Sequence, residues 1–382
     1  MTSLAKGCGT AENTHTFARM DLSANRRRQT PMNNFSHQQL RKIGRQIFTA
    51  GGASPDEAAL VTDVLVDANL MGLDSHGIIR VVWYMDDLLN NKIQPGAPLT
   101  VSRESTTTAV LDGGGNFGAV AAMQAVNLAA EKAKQHHLGC TTVSNCHHMA
   151  RLGAFAEVVA RQHNMICLAT ASWSIAGHFV SPWGGREPRL TTNPFAYAIP
   201  TDHDPFILDM STSAISEGKI RLFRNQGEEL PDNFVLDAEG VVTRDPNDFY
   251  GPPGGTILPF GGVHGFKGFG LGMLVEVLSN TLSGHLATAE NPYGQRACFL
   301  VIDPGQFAPP TEFKTAIEQL KSYMKSSAPA QGYDEVILPG EYHFRRKARR
   351  EREGIPLDPE TWDQIVETAR RVGVEIDNTV ED

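Results

Sequence analysis

Apolar residues recur at helical spacing in three successive stretches near the start of the chain. Leu40, Ile43 and Ile47 follow Ser36, a residue able to cap a helix. Leu60, Val64, Leu65 and Leu70 follow Ser54-Pro55-Asp56-Glu57, a capping box with proline at the first helical position. Gly72 ends that helix, and Asp74 or Ser75 caps a third that reaches about Leu89. The first hundred residues therefore read as helical, up to Gln94-Pro95-Gly96-Ala97-Pro98. After that the period changes. Thr106–Leu111, Cys140–Ser144 and Met165–Ala171 have the texture of strands, alternating with helices at Ala119–His136 and Leu152–Arg161. Residues 172–262 are rich in Gly, Pro and Thr with short β-like runs at Phe195–Ile199, Phe206–Leu208, Phe234–Leu236 and Gly240–Val242, which points to a mixed sheet with long loops. Phe269–Leu282 is apolar nearly all round, the pattern of a helix buried at a domain or subunit contact. Phe299–Ile302 is a further strand. Two amphipathic helices close the chain, one carrying Phe313, Ile317, Leu320 and Met324, the other capped by Asp358-Pro359; the basic run His343–Arg352 between them reads as exposed.

A length of 382 residues accommodates two or three domains. The formal net charge of −9 argues against a partner such as nucleic acid. Five scattered cysteines without a CxxC give no disulfide framework or zinc knuckle, and a reducing cytoplasm is the simplest compartment. No apolar run reaches the roughly 18 residues a membrane helix needs, so no membrane partner is expected. Residues 1–35, with the basic Arg26-Arg27-Arg28, read as a loose extension.

Gly113-Gly114-Gly115-Asn116-Phe117-Gly118 satisfies GxGxxG between a strand and a helix, the setting of a dinucleotide fingerprint. The acidic residue that should hold the ribose is missing, because the next strand ends at Ser144-Asn145. A glycine-rich turn beside an active site is the better reading. No P-loop, HExxH or GxSxG occurs. Cys146-His147-His148 has no second ligand cluster at metal spacing, and no metal is assigned.

Three groups of residues can carry chemistry. In Asp74-Ser75-His76-Gly77-Ile78-Ile79-Arg80, with Tyr84 beyond, a helix starting at Ser75 would place His76, Arg80 and Tyr84 on one face. A histidine at a helix N-terminus stays neutral and able to act as a base, a guanidinium one turn on suits a carboxylate, and a phenol can orient a substrate oxygen. In Asn145-Cys146-His147-His148-Met149-Ala150-Arg151, His148 again stands where a strand gives way to a helix. Thr191-Thr192-Asn193-Pro194, Leu208-Asp209-Met210-Ser211-Thr212-Ser213 and Phe266-Lys267-Gly268 offer hydroxyls, amides and one cation for phosphate and ribose. Singly, each has an ordinary explanation as cap, loop or turn.

Taken in order, Asp74–Arg80, Asn145–Gly153, Thr191–Ala198, Asp209–Lys219, Lys267–Leu271, Pro339-Gly340-Glu341 and Glu353-Gly354-Ile355-Pro356-Leu357 resemble the malate/L-lactate dehydrogenase family of NAD(P)-dependent 2-hydroxy acid oxidoreductases. The likeness is greatest to its hydroxycarboxylate dehydrogenase branch. This family is distinct from the Rossmann-type malate and lactate dehydrogenases. The resemblance implies an α+β fold. A non-Rossmann NAD(P)-binding domain over 106–330, on a mostly antiparallel mixed sheet, would stand beside a helical domain built from both chain ends, 36–105 and 331–382. It also implies a homodimer with active sites at the domain and subunit interface. Carried over by position, His148 and His76 are the candidate catalytic pair, and Ser75, Arg80 and Tyr84 the substrate pocket. Ser172, Thr192, Asn193, Asp209, Met210, Ser211, Lys267, Glu353, Gly354 and Ile355 are the candidate cofactor contacts. Three features depart from the family pattern: Met149-Ala150-Arg151 replaces the usual small residues after His148, Trp173 stands where some members have a carboxylate, and Val263-His264-Gly265-Phe266 is longer than the usual lead into the Lys-Gly motif. The cofactor expected is NAD, with NADP the alternative if Arg186, Arg189 or the 345–352 run meets a 2′-phosphate. The substrate expected is a 2-hydroxy/2-oxo acid of malate, lactate, 2-oxoglutarate or phenylpyruvate type. The alternatives are a cyclic-imine reductase of the same family, distinguished by turnover of an imine alone, and a dinucleotide-binding protein without turnover.

Overall fold

The computed structural model describes residues 33–174, 177–285 and 294–376. Most of the N-terminal extension, with its three arginines, lies outside the described residues. The chain begins with strand β1 (Asn33–Phe35) and helices α1 (His37–Ala50) and α2 (Pro55–Leu70). Both helices open with complete capping boxes, Ser36 with Gln39 and Ser54 with Glu57, so two otherwise orphan amides are satisfied at each start. A single turn at Asp74–His76 leads to α3 (Arg80–Leu89). There follow β2 (Thr100–Glu104), β3 (Thr108–Asp112), α4 (Gly118–His136), β4 (Leu138–Cys146), α5 (Gly153–His163), β5 (Ile166–Trp173), β6 (Phe195–Ile199), β7 (Phe206–Met210) and α6 (Glu217–Gln226). Three two-residue strands, β8 (Val235–Leu236), β9 (Val242–Thr243) and β10 (Thr256–Ile257), surround α7 (Pro246–Tyr250). The remainder is α8 (Phe266–Glu276), β11 (Gln295–Ile302), α9 (Pro310–Lys325), α10 (Glu341–Glu353), β12 (Ile355–Leu357) and α11 (Pro359–Arg371).

The main sheet has the order β2-β3-β4-β11-β5-β6-β7, and every neighbouring pair is antiparallel except β3 with β4. It is thus a mixed, largely antiparallel sheet and not the parallel one of a doubly wound fold. Helices α4 and α5 cover one face. Thr141 donates to the Ala125 carbonyl at 2.9 Å, and the rings of Phe155 and Phe299 meet edge to face with centroids 6.1 Å apart. A five-residue π turn after α8, Val277–Thr281, lies on the other face beside β5, where Ser279 donates to Thr170 at 2.9 Å.

The two chain ends meet in one helical layer. β1 pairs antiparallel with β12, Phe35 stacks on Trp362 at 4.2 Å, α10 packs on α2 and α11 on α3. Residues 33–35, read from sequence as the end of a loose extension, are therefore an ordered strand. The basic run His343–Arg352 is likewise a helix, with Phe344 and Arg350 buried. The third helix starts later than its sequence cap implies. Gly77 breaks the turn because Asn69 occupies the space beside it: a Cβ there would lie 2.3 Å from the Asn69 Oδ1, which instead accepts from the Ile78 amide at 2.7 Å. Among the described residues no helix is long and apolar enough to cross a membrane.

Candidate active site

The glycine-rich turn is a packing device. A Cβ on Gly118, the first residue of α4, would lie 2.0 Å from the His147 carbonyl oxygen, so only glycine lets that helix start against the histidine loop. Two non-glycine residues, Asn145 at the end of β4 (φ 52°) and Ala150 in the loop beyond (φ 59°), hold left-handed backbone. Together these features turn His147 and His148 off the end of β4 toward α3. The His148 ring stacks against His76 with centroids 5.7 Å apart and planes 29° from parallel. Tyr84 on α3 places its hydroxyl 2.7 Å from His148 Nδ1 and 3.1 Å from the His148 carbonyl oxygen. Trp83 lies 5.2 Å from His148 and 6.2 Å from Trp173, so two indoles wall the histidines.

Arg80 stands over Trp83, its guanidinium carbon 5.3 Å from the ring centroid. Its Nε donates to the Ser75 carbonyl at 2.6 Å, and no hydrogen bond among the described residues engages its two terminal nitrogens. Ser75 is exposed, with its hydroxyl 3.0 Å from His76 Nδ1. A Cβ on Gly218 would lie 3.8 Å from Ser75, so the N-terminus of α6 also approaches the site. His76 and Arg80 do not share a helix, but folding brings Ser75, His76, Arg80, Tyr84 and His148 together all the same.

Burial, and then the Arg80 charge, depress the His76 pKa to about 4. The same two causes, followed by the other histidines, hold His148 well below its ordinary value. His148 is not at a helix N-terminus, since α5 begins only at Gly153. Its neutrality comes from burial and positive neighbours. Burial raises the Tyr84 phenol above its ordinary value. His147 is tied by Nε2 to Asp87 at 2.9 Å, and Asp87 also pairs with Lys92 at 2.9 Å.

The turn bearing His76 is clamped from the far end of the chain. Arg350 on α10 meets both carboxylate oxygens of Asp74, at 2.7 and 3.0 Å, and also bonds the Asn69 carbonyl. The departure at Arg151 has a structural meaning: its buried guanidinium reaches Asp67 at 2.9 Å and Glu157 at 2.6 Å, joining α2 to α5. The Arg350–Asp74 and Arg151–Asp67 contacts have no local sequence signal, since those partners lie far apart in the chain.

The candidate cofactor residues divide. Ser172 and Asn193 spend their polar atoms on Glu276, a buried carboxylate at the end of α8, at 2.7 and 3.0 Å; Asn280 completes that network. Asp209 accepts from the Gly153 amide at 2.7 Å, beneath the first turn of α5. Met210 ends β7 opposite Phe195, Thr192 supplies a carbonyl to the Thr212 amide, and Ser211 donates to the Ser213 carbonyl. Lys267 is exposed in the first turn of α8. Glu353-Gly354-Ile355 run from α10 into β12, where Ile355 pairs with Phe35, in the helical layer. Sequence reasoning missed the hydroxyl of Ser174, Nε2 of His178 and the hydroxyl of Ser181, three buried polar atoms in the loop just beyond Trp173 that have no partner among the described residues. Buried polar atoms are rarely left unpaired, and these donors suit the hydroxyl and amide groups of a dinucleotide.

The malate/L-lactate dehydrogenase family profile matches residues 35–366. The chain is 34% identical over 340 residues to a malate dehydrogenase of Pyrococcus abyssi, covering 86% of this chain and 92% of that protein. It is 33% identical over 356 residues to hydroxycarboxylate dehydrogenase B of Escherichia coli K12, covering 89% and 94%. The solved sulfolactate dehydrogenase of Methanocaldococcus jannaschii superposes with a TM-score of 0.82 at 31% identity, covering 91% of this chain and 100% of that one. The chain belongs to the malate/L-lactate dehydrogenase family and is an NAD(P)-dependent hydroxy acid dehydrogenase.

Proposed function

We propose that the chain catalyses reversible hydride transfer between nicotinamide and C2 of a 2-hydroxy/2-oxo acid, with His148 moving the hydroxyl proton. The observation that carries this reading is the stacked His76–His148 pair beside an arginine whose two terminal nitrogens have no hydrogen bond among the described residues. Arg80 would grip the substrate carboxylate with both and hold C2 over the histidines, converting binding into position. With its pKa depressed, His148 is unprotonated at neutral pH and takes the hydroxyl proton during oxidation, returning it during reduction. His76 would polarise the carbonyl oxygen. The dinucleotide, when bound, supplies the hydride acceptor or donor.

Ser174, His178, Ser181 and Lys267 would hold that dinucleotide, with Thr192, Met210, Ser211 and Glu353–Ile355 as further contacts taken from the family pattern. Ser172, Asn193 and Asp209 are assigned a supporting part, because their polar atoms are already engaged within the protein. No Rossmann fold is invoked for residues 106–330; the largely antiparallel sheet supports this, as does the packing role of the glycine turn. NAD is preferred to NADP, since several of the candidate cations face carboxylates: Arg189 with Glu187, Arg345 with Glu335, Lys347 with Asp67 and Arg350 with Asp74. Arg186, which among the described residues meets only the Glu239 carbonyl, is the cation that would serve a 2′-phosphate. A homodimer is the proposed state. Phe266, Met273, Leu274, Val277 and Leu282 leave an apolar stripe exposed along α8 and its π turn, and no side chain of α9 is buried.

The test is absorbance at the reduced-nicotinamide band with NADH and then NADPH, against pyruvate, oxaloacetate, 2-oxoglutarate, phenylpyruvate and a cyclic imine. Turnover of a 2-oxo acid is expected. Turnover of the imine alone would overturn the substrate assignment.

A further inference from the structure

A phenol at position 84 reads from sequence as a substrate ligand. In the fold it is 1% exposed, and both contacts of its hydroxyl are to His148. We propose that Tyr84 is a positioning residue that sets the tautomer of His148: its oxygen accepts from Nδ1–H while its own proton goes to the His148 carbonyl, leaving the Nε2 lone pair for the substrate. This inference rests on the assignment of His148 as the proton carrier.

The geometry allows two arrangements. In one, the phenol donates to Nδ1, and the ring proton must then sit on Nε2, where it blocks proton uptake. In the other, Nδ1–H donates to the phenol oxygen over 2.7 Å and the phenol donates to the carbonyl over 3.1 Å. Only the second uses both contacts of a hydroxyl that has no other partner among the described residues, and a buried hydroxyl is costly to leave half-satisfied. Nδ1 also faces the Ala150 amide at 3.3 Å. That group only donates and would select the Nε2–H form, so without the phenol the idle tautomer is the one that remains.

The neighbouring histidine shows what this choice of partner does. Burial lowers the His147 pKa, and the carboxylate it leans on, Asp87, works against that shift. His148 leans on a neutral phenol, which orients the ring without adding a negative charge. Arg80, His76 and His147 are the charged or titratable groups that face it, and each disfavours protonation. The proton taken from substrate is therefore held weakly and handed back readily. During oxidation the substrate O–H breaks and its proton moves to Nε2, while the C2 hydride leaves to nicotinamide as the C=O forms. The Nδ1 and phenol protons stay where they are, and reduction runs the same path backward.

The test is the histidine ring 15N–1H correlation spectrum of the full chain without substrate, with His148 assigned by its loss in His148→Gln. Wild type is expected to show Nδ1 protonated and Nε2 bare, and Tyr84→Phe the reverse. In steady state, Tyr84→Phe should lower kcat for oxidation on the order of 10²-fold, the scale of general-base catalysis, with KM for both substrates within about threefold. Wild type protonated at Nε2, or an unchanged tautomer in Tyr84→Phe, overturns the proposal. So does a Tyr84→Phe defect that appears in KM and thermal stability with kcat unchanged. Should His148→Gln retain full turnover, the proton-carrier reading fails, while the ring spectra still decide whether Tyr84 sets the tautomer.

Discussion

Replacing Arg80 tests the proposed chemistry most directly, because its geometry separates binding from proton transfer. Its Nε is spent on Ser75, and its terminal nitrogens, beside the Trp83 ring, have no hydrogen bond among the described residues. In Arg80→Ala the substrate carboxylate loses two charge-assisted hydrogen bonds of about 1.5–3 kcal/mol each. Allowing for non-additivity, the loss is about 3–5 kcal/mol, or on the order of 10²- to 10³-fold in kcat/KM. Arg80→Lys should recover only part of it, since an ammonium cannot hold Ser75, stack on indole and grip a carboxylate together. A second consequence is independent of substrate binding. After burial, the Arg80 charge is the next cause depressing both histidines, so its removal raises both pKa values. Oxidation needs the unprotonated ring, and the acid limb of its pH profile therefore moves to higher pH. The assay is initial rate against pH in the oxidation direction, with NAD saturating and the hydroxy acid varied. A kcat/KM for Arg80→Ala within about threefold of wild type, or an acid limb that stays or moves to lower pH, would refute the reasoning.

Three further outcomes follow from the same contacts. Arg151→Met leaves Asp67 and Glu157 without their shared buried cation and should cost about 3–5 kcal/mol in denaturant unfolding at pH 7. Burial pushes the Asp67 carboxyl up, but Arg151 and Lys347 outweigh it and hold it below its ordinary value. That share of the stability is present above about pH 4 and disappears as pH falls through the folded value, so the deficit should narrow in acid; a deficit that widens there contradicts the assignment. Asp209→Asn keeps an acceptor for the Gly153 amide and should leave KM for the dinucleotide within about threefold, whereas a tenfold or greater rise would make Asp209 a direct ligand after all. Arg350→Gln frees Asp74 and the turn carrying His76, with an expected fall of about tenfold in kcat measured beside the melting temperature; unchanged kcat would show that the clamp does not position His76.

Short-range features were legible in the chain. Both capping boxes are local patterns whose partners lie three residues away, and the helices they start are where Ser36 and Ser54 place them. The alternation at Phe195–Ile199 reads directly as a strand. The Ser75, His76, Arg80 and His148 types stood out because a neutral histidine beside a guanidinium suits proton transfer to a carboxylate-bearing substrate. The start of α3 was misplaced because Asn69, from the preceding helix, occupies the space next to Gly77. The basic run was read as exposed because nothing within it reveals that Arg350 meets Asp74 across the molecule.

What the sequence determined by itself was thus the set of elements with local signals, the family, and the residue types able to move a proton and hold a carboxylate. The tertiary structure decided which groups face each other. It set the Tyr84 hydroxyl against His148, engaged Ser172 and Asn193 with Glu276, and left three buried polar atoms beyond Trp173 without a partner among the described residues. The physical reason is one of range. Caps and hydrophobic periods are satisfied within a few residues, whereas burial, tautomer and pKa depend on atoms that only the folded chain brings within hydrogen-bonding distance.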